Sequence, residues 1–496
     1  MEIWGPYSDK RGNELLRSLV GPSVVRGNWW GGYVGSHGAR AGSTLLWQQL
    51  ISGVVNTSLY FAATGSEGLF ATDLSYADYF ANMLPDLAEI YGGIGQLVSS
   101  SRVADDAIAI HWSQANEHGS TLFAGVGSPA ASQGNLLGLL DRSGLGYRFL
   151  TTSLIEGGAL DKGVRVLFLP CSQALSDQEA KAIAAFVEAG GTVIADVGTG
   201  NMTGVCRPLW KSADGDLKEW RGQLDTLLGV TRSGAPVSKS VTTNLSLDFG
   251  KTKLALGDFP VRADSSVVGQ GASQTEGAPI FLLRTVGKGR VVFLNFPFPN
   301  PEHPDAVPFL RGLLAEVGTQ PVAYLTDSRG YTCRRFLNGG LTLIGIAREG
   351  STARDTTLKL ATPAFVHDVR TGKCLGKLSS LDLPVSGPAN RIFALLPAAA
   401  SAPTLKVEPD AKRGQPSTLS ISLDKAGAAP TGRWLRLQAL APDGKEDTAY
   451  RSYLVLKSNT ATATIPWALN DAPGAWSIRV TDVATGLSAV APIKLQ

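Results

Sequence analysis

Residues 164–197 read VRVLFLPCSQALSDQEAKAIAAFVEAGGTVIADV, and three patterns follow one another in that stretch. Residues 164–169 form an apolar run suited to a strand covered on both faces. Ser176 and Glu179 then have the S-x-x-E spacing of a capping box, and Ala180, Ile183, Ala184 and Val187 recur at helical spacing before Gly190-Gly191. Residues 192–197 return to an apolar run. Strand, capped crossover helix and strand make a βαβ unit, which predicts a doubly wound α/β domain with a mainly parallel sheet.

Outward from that unit, residues 107–112 (AIAIHW) and 290–296 read as further strands, and 305–317 as a helix that completes a domain spanning 105–320. On the N-terminal side, Leu15, Leu16 and Leu19 suggest a short helix. Residues 43–53 look helical, 57–62 strand-like and 76–91 helical, which makes about two βα units. An eight-stranded barrel needs about 200 residues or more, so 1–104 is read as an incomplete (β/α) barrel end. Beyond 320 the helical period gives way to short strands such as 341–346 and 392–396, a small all-β domain over 321–398. A small-residue linker (399–404) precedes a second β-sandwich-like domain over 405–496, with strands at 435–440, 461–465 and 476–480. The fold class is therefore multidomain α/β plus all-β.

Of the 496 residues 44% are hydrophobic and 18% charged, which is ordinary globular composition. The formal net charge of +3 is not concentrated in any basic run, which argues against a nucleic-acid surface. No stretch of about 18 apolar residues predicts a membrane span, and the N-terminus lacks the apolar core of an export signal. Cys171, Cys206, Cys333 and Cys374 lie too far apart for a zinc ribbon or redox dithiol. The five histidines lack ligand spacing; His111, Glu117 and His118 form a weak cluster read as surface, so neither metal nor cofactor is expected. Gly198-Thr199-Gly200 lacks the lysine of a phosphate loop and is read as a turn at a sheet edge.

Three local patterns carry a family resemblance. Residues 38–53 (GARAGSTLLWQQLISG), the run Leu167-Phe168-Leu169-Pro170 with Leu175-Ser176-Asp177 and residues 186–193, and HDVRTGK (367–373) with FALLP (393–397) together resemble glycoside hydrolase family 42 β-galactosidases. The resemblance implies a barrel end, a flavodoxin-like trimerisation domain similar to class I glutamine amidotransferases, and a small β domain. IPWALNDAPG (465–474) and Thr485-Gly486 resemble a bacterial immunoglobulin-like module.

Retaining glycosidases need two carboxyl groups, an acid/base and a nucleophile. The resemblance places the acid/base upstream of these residues and the nucleophile near 24–33, where Arg26, Asn28 and Trp29 stand and no Asp or Glu occurs between Glu14 and Glu67. It therefore implies no catalytic residue here. The chain is read as a glycoside hydrolase fragment or subunit, not competent alone, with an upstream barrel chain as a partner and a trimer as its homo-oligomeric state. The alternative is a non-catalytic carbohydrate-binding or oligomerisation protein. An amidotransferase-like enzyme using Cys171 ranks below both, because that residue lacks a glycine-flanked elbow and an adjacent base. The substrate-binding candidates are Trp29, Trp30 and Tyr33, as stacking faces or as barrel closure, and Glu67 and Asp73, as hydroxyl acceptors or, for Asp73, a helix cap. The localisation is open; the module and the sugar-related parentage imply an extracytoplasmic parent protein.

Overall fold

The computed structural model describes residues 3–4, 10–20, 25–29, 41–54, 56–58, 68–122, 126–209, 221–243, 246–248, 253–255, 258–269, 273–349, 351–424 and 431–496. Ile3–Trp4, Val25–Trp29 and Asn56–Ser58 form a parallel three-stranded sheet. The helices Lys10–Leu19 and Ala41–Ile51 connect these strands. The rest of the expected strand at 57–62, and Leu59-Tyr60-Phe61 with it, lies outside the described residues.

The βαβ unit read from 164–197 is present: Val166–Leu169, the helix Asp177–Glu188, and Thr192–Ala195 paired in parallel with the first strand. The capping box is complete, with the Ser176 hydroxyl accepting from Glu179 N and the Glu179 carboxylate accepting from Ser176 N. Around this unit the parallel strands run in the order Tyr147–Thr151, Ile108–Trp112, Val166–Leu169, Thr192–Ala195, Gly289–Leu294; Ala278–Val286 and Ser273–Thr275 add an antiparallel edge. Alternation along each strand fills two cores. Val166 and Phe168 face the helices Pro129–Arg142 and Ala306–Glu316, whereas Leu167 and Leu169 face Ile183, Phe186 and Val187. The opposite edge strand is covered by the first helix, where Arg17 donates to Tyr147 O and Phe149 N donates to Ser18 Oγ at 2.9 Å. That cover removes an open strand edge.

An antiparallel sheet follows, in the order Ala323–Leu325, Thr356–Asp368, Asn390–Leu396, Leu341–Arg348, Tyr331–Asn338, Arg102–Val103, with Lys373–Leu383 also paired to Thr356–Asp368. Its last member comes from the N-terminal third of the chain, through Phe336 opposite Val103. Thr404–Val407, Pro416–Ser422 and Thr460–Pro466 form a three-stranded sheet that packs over a five-stranded one. Trp467 and Trp476 meet there edge to face at 5.1 Å. Their indole N–H groups donate to Ser417 Oγ and Ala472 O. These tryptophans are core, not sugar platforms. One further core joins distant segments: Trp47, Leu50, Ile94 and Leu97 pack with Phe336, Leu343, Val369, Val483 and Ala484.

Several expectations need correction. The helix expected over 76–91 is broken into Asp78–Ala81 and Leu84–Glu89, then widens to a π turn at Ile90–Ile94. Gly93 sits there at φ 121, where an added Cβ would meet Val483 Cγ2 at 2.7 Å, so close packing against the last sheet reshapes the helix. His111 is buried rather than on the surface. The turn at 198–200 follows an interior strand, Thr192–Ala195, and is not at a sheet edge.

Candidate functional site

Of the predicted sugar-contacting residues, Trp29 belongs to the parallel three-stranded sheet and Asp73 follows its last strand in sequence. Trp29 ends the strand Val25–Trp29, with its backbone opposite Ser58. Its side chain, and Trp30, Tyr33 and Glu67 entirely, lie outside what is described. Asp73 is described and exposed, at the tip of a turn closed by the Phe70 to Tyr76 bridge and by Ala71 N donating to Ser75 O. It does not cap a helix, because the next helix begins at Asp78. Instead Asp73 Oδ1 accepts from Ser75 N and Oγ, and these bonds hold the carboxyl below its usual range. The other oxygen remains open to a hydroxyl donor. Beside it Tyr76 is 50% exposed, stacked on Phe70 at 5.6 Å and edge-on to Phe80 at 5.3 Å. An open carboxylate next to a half-exposed ring can accept from a sugar hydroxyl and pack against its C–H face.

A second constellation was not legible in the sequence. In a doubly wound sheet the chain leaves two neighbouring strands in opposite directions, and the crevice at their carboxyl ends is where ligands sit. Here those strands are Ile108–Trp112 and Val166–Leu169, and the crevice is filled by the chain's own side chains. His111 Nδ1 lies 2.8 Å from Ser172 Oγ and His111 Nε2 3.1 Å from Glu179 Oε1, all three groups buried. Burial pushes the Glu179 carboxyl up, but bonds from His111 and Ser176 N outweigh it and leave the pKa lowered. An ionised carboxylate can only accept, so in the neutral imidazole the proton is on Nε2 and Nδ1 accepts from Ser172. The trio has the membership of a hydrolase triad but no opening to a substrate.

Cys171 precedes Ser172 and adopts a left-handed backbone, φ 42, although no glycine flanks it. Its thiol is nonetheless enclosed by Val126 and Val197. Burial and the neighbouring Asp196 carboxyl push its pKa well above the usual value. A neutral, sealed thiol is no nucleophile. Asp196 accepts from Cys171 N, Ser132 Oγ and Phe298 N, and burial raises its carboxyl to about 7.

Across the described residues, each buried carboxylate is engaged by a protein donor. Glu14 and Asp141 share Arg334, Asp225 pairs with Arg232, and Asp482 with Arg433. Asp264 is held by Ser266, while Glu179 and Asp196 are bound as above. The described His, Cys, Asp and Glu residues form no group able to hold a metal ion, and no described helix is long and apolar enough to cross a membrane.

No family model and no curated protein matches the chain. Solved structures do. A β-galactosidase from Rahnella sp. R3 superposes with a TM-score of 0.56 at 17% identity, over 78% of this chain and 56% of its own. A catalytic mutant of Gan42B, a GH42 β-galactosidase from G. stearothermophilus, gives 0.53 at 13% identity over 78% and 56%. A β-galactosidase from Bacillus circulans sp. alkalophilus gives 0.51 at 16% identity over 70% and 51%. The chain spans about half the length of these structures. Over 70–78% of its length the chain has a fold similar to that of these β-galactosidases, one of them a GH42 enzyme.

Proposed function

We propose that this chain binds a galactoside-like carbohydrate as the non-hydrolysing part of a family 42-type β-galactosidase, working with a barrel supplied by a partner chain. The observation that carries the reading is the turn at 70–76, which follows the parallel strands and presents the open Asp73 carboxylate beside the half-exposed Tyr76 ring. Barrel enzymes place their substrate loops after parallel strands in this way. Engagement of all the described buried carboxylates supports a binding role over acid/base chemistry.

In the same reading, 1–104 is a barrel end and 105–320 the amidotransferase-like trimerisation domain. Residues 321–398 form the small β domain, and 405–496 an immunoglobulin-like sandwich. Self-association as a trimer through the α/β domain belongs to this proposal.

The test is calorimetric titration of the purified chain with galactose and lactose, beside an assay with an aryl β-galactoside. Binding without turnover is expected, and Tyr76→Ala should weaken binding about tenfold, about 1.4 kcal/mol. Hydrolysis abolished by one internal Asp or Glu substitution would replace the binding reading by a catalytic one.

A further inference from the structure

A cavity of about 490 Å³ opens on the antiparallel sheet, within the size range of small-molecule sites. Its wall is built from the strands Thr356–Asp368, Lys373–Leu383 and Asn390–Leu396 and the turns between them. One side is fixed by Arg370. The guanidinium stacks 4.2 Å over the Trp47 ring and donates to Asp86, to both Glu89 oxygens and to Asn390 O. Trp47 Nε1 in turn donates to Asp86 Oδ1 at 2.6 Å. That rim therefore rests on groups locked by several bonds, the preorganisation a binding site requires.

Three polar groups at this cavity have bonding capacity to spare. Asn390 is 4% exposed, lines the cavity, and its Oδ1 has no partner. A buried acceptor left empty is unfavourable, so a donor is expected there. Arg391 spends Nε on Pro388 O and Nη2 on Pro384 O, which fixes the guanidinium and leaves Nη1 uncommitted. Asp382 accepts from Thr357 Oγ1 through one oxygen only. Between these groups Leu375, Leu381 and Pro388 supply apolar wall.

Donor, acceptor and carboxylate beside aliphatic surface match a ligand with several hydroxyls on an apolar ring. A simple anion would meet Asp368, Asp382 and Glu89, and a simple cation would meet Arg391. We propose that this cavity is a second carbohydrate site that takes a mono- or disaccharide through its hydroxyl groups. The choice of ligand class rests on the glycosidase-related reading above, whereas the site itself rests on the cavity and its unsatisfied groups.

The experiment is saturation-transfer NMR and calorimetry with galactose, lactose and glucose on the whole chain. The variants are Asp382→Ala, which removes one exposed carboxylate, and Thr371→Trp, which fills the mouth from an exposed turn. Both variants should keep the wild-type melting temperature and lose at least tenfold in affinity at one of the binding events, with Tyr76→Ala affecting the other. Sugar binding unchanged in both variants but lost in Tyr76→Ala would overturn the second site and leave the proposed function standing. Binding lost only in Asp382→Ala and Thr371→Trp would support the second site and remove the 70–76 turn from the reading. No binding of any of the three sugars by the wild-type chain would overturn both.

Discussion

The crevice at the carboxyl ends of the parallel strands and the cavity on the antiparallel sheet are both lined by charged and amide groups, and although Asn116, Gln173 and Asn201 beside the crevice each keep a buried atom without a partner, the two treat their ionisable groups in opposite ways. In the crevice His111, Ser172, Glu179 and Asp196 are bonded to one another or to backbone and shut away from solvent. At the cavity Asn390, Arg391 and Asp382 keep capacity unspent. Polar groups that satisfy each other in the interior specify one packing. Polar groups left short beside an opening are set for a ligand. Position in the fold alone would have chosen the wrong one, since the crevice is where doubly wound sheets bind.

The comparison breaks most readily at Asp196. Burial pushes its carboxyl up to about 7 in the folded chain, against about 3.9 when unfolded. The folded state therefore holds the proton more tightly, and the group's contribution is complete below the unfolded value and lost as pH rises through 7. Unfolding free energy should fall between about pH 4 and pH 7 by up to about 4 kcal/mol, and Asp196→Asn should flatten that slope in urea titrations. A slope unchanged in the variant would show that the crevice is wetter than its bonds imply.

Glu179→Ala sharpens the contrast from the other side. It strips His111 of its acceptor and Ser176 N of its own, and should cost about 3 kcal/mol in urea unfolding while leaving sugar affinity unchanged. A loss of affinity in that variant would mean that the crevice takes part in binding. The smallest effect is at the helix start: Ser176→Ala should cost about 1 kcal/mol, and a change within about 0.2 kcal/mol would mean that the cap does not hold the helix.

What the sequence made legible was local. The helix at 177–188 was readable because its cap, period and stop lie within 16 residues of one another. The His111 group was not, because His111 stands 61 positions from Ser172 and 68 from Glu179, and no spacing rule reaches that far. Glu179 had already been given a role as a cap partner, which hid its second one. The break in the helix over 76–91 was signalled by Pro85 in the first turn of the second helix, and the π turn beyond it by Gly92-Gly93, where Gly93 packs against Val483 almost 400 positions away. Among the predicted site residues, Asp73 was read as a hydroxyl acceptor or a helix cap, and the turn it occupies was missed because an Asp that bonds two residues ahead looks alike in both settings.

The core that joins Trp47, Leu97, Phe336 and Val483 bears on the order of events during synthesis. Helices made early cannot bury their apolar faces until the segment around Val483 and Ala484 has left the ribosome. Contacts of such long sequence separation form slowly, so a nascent chain holds this apolar surface open until residues 483–484 emerge. Once closed, the same core ties residues 47–98 to residues 483–484. A protease cut in the connection at 397–403, between the strands Asn390–Leu396 and Thr404–Val407, would then leave two pieces that still hold each other, and they would part only when the whole core melts.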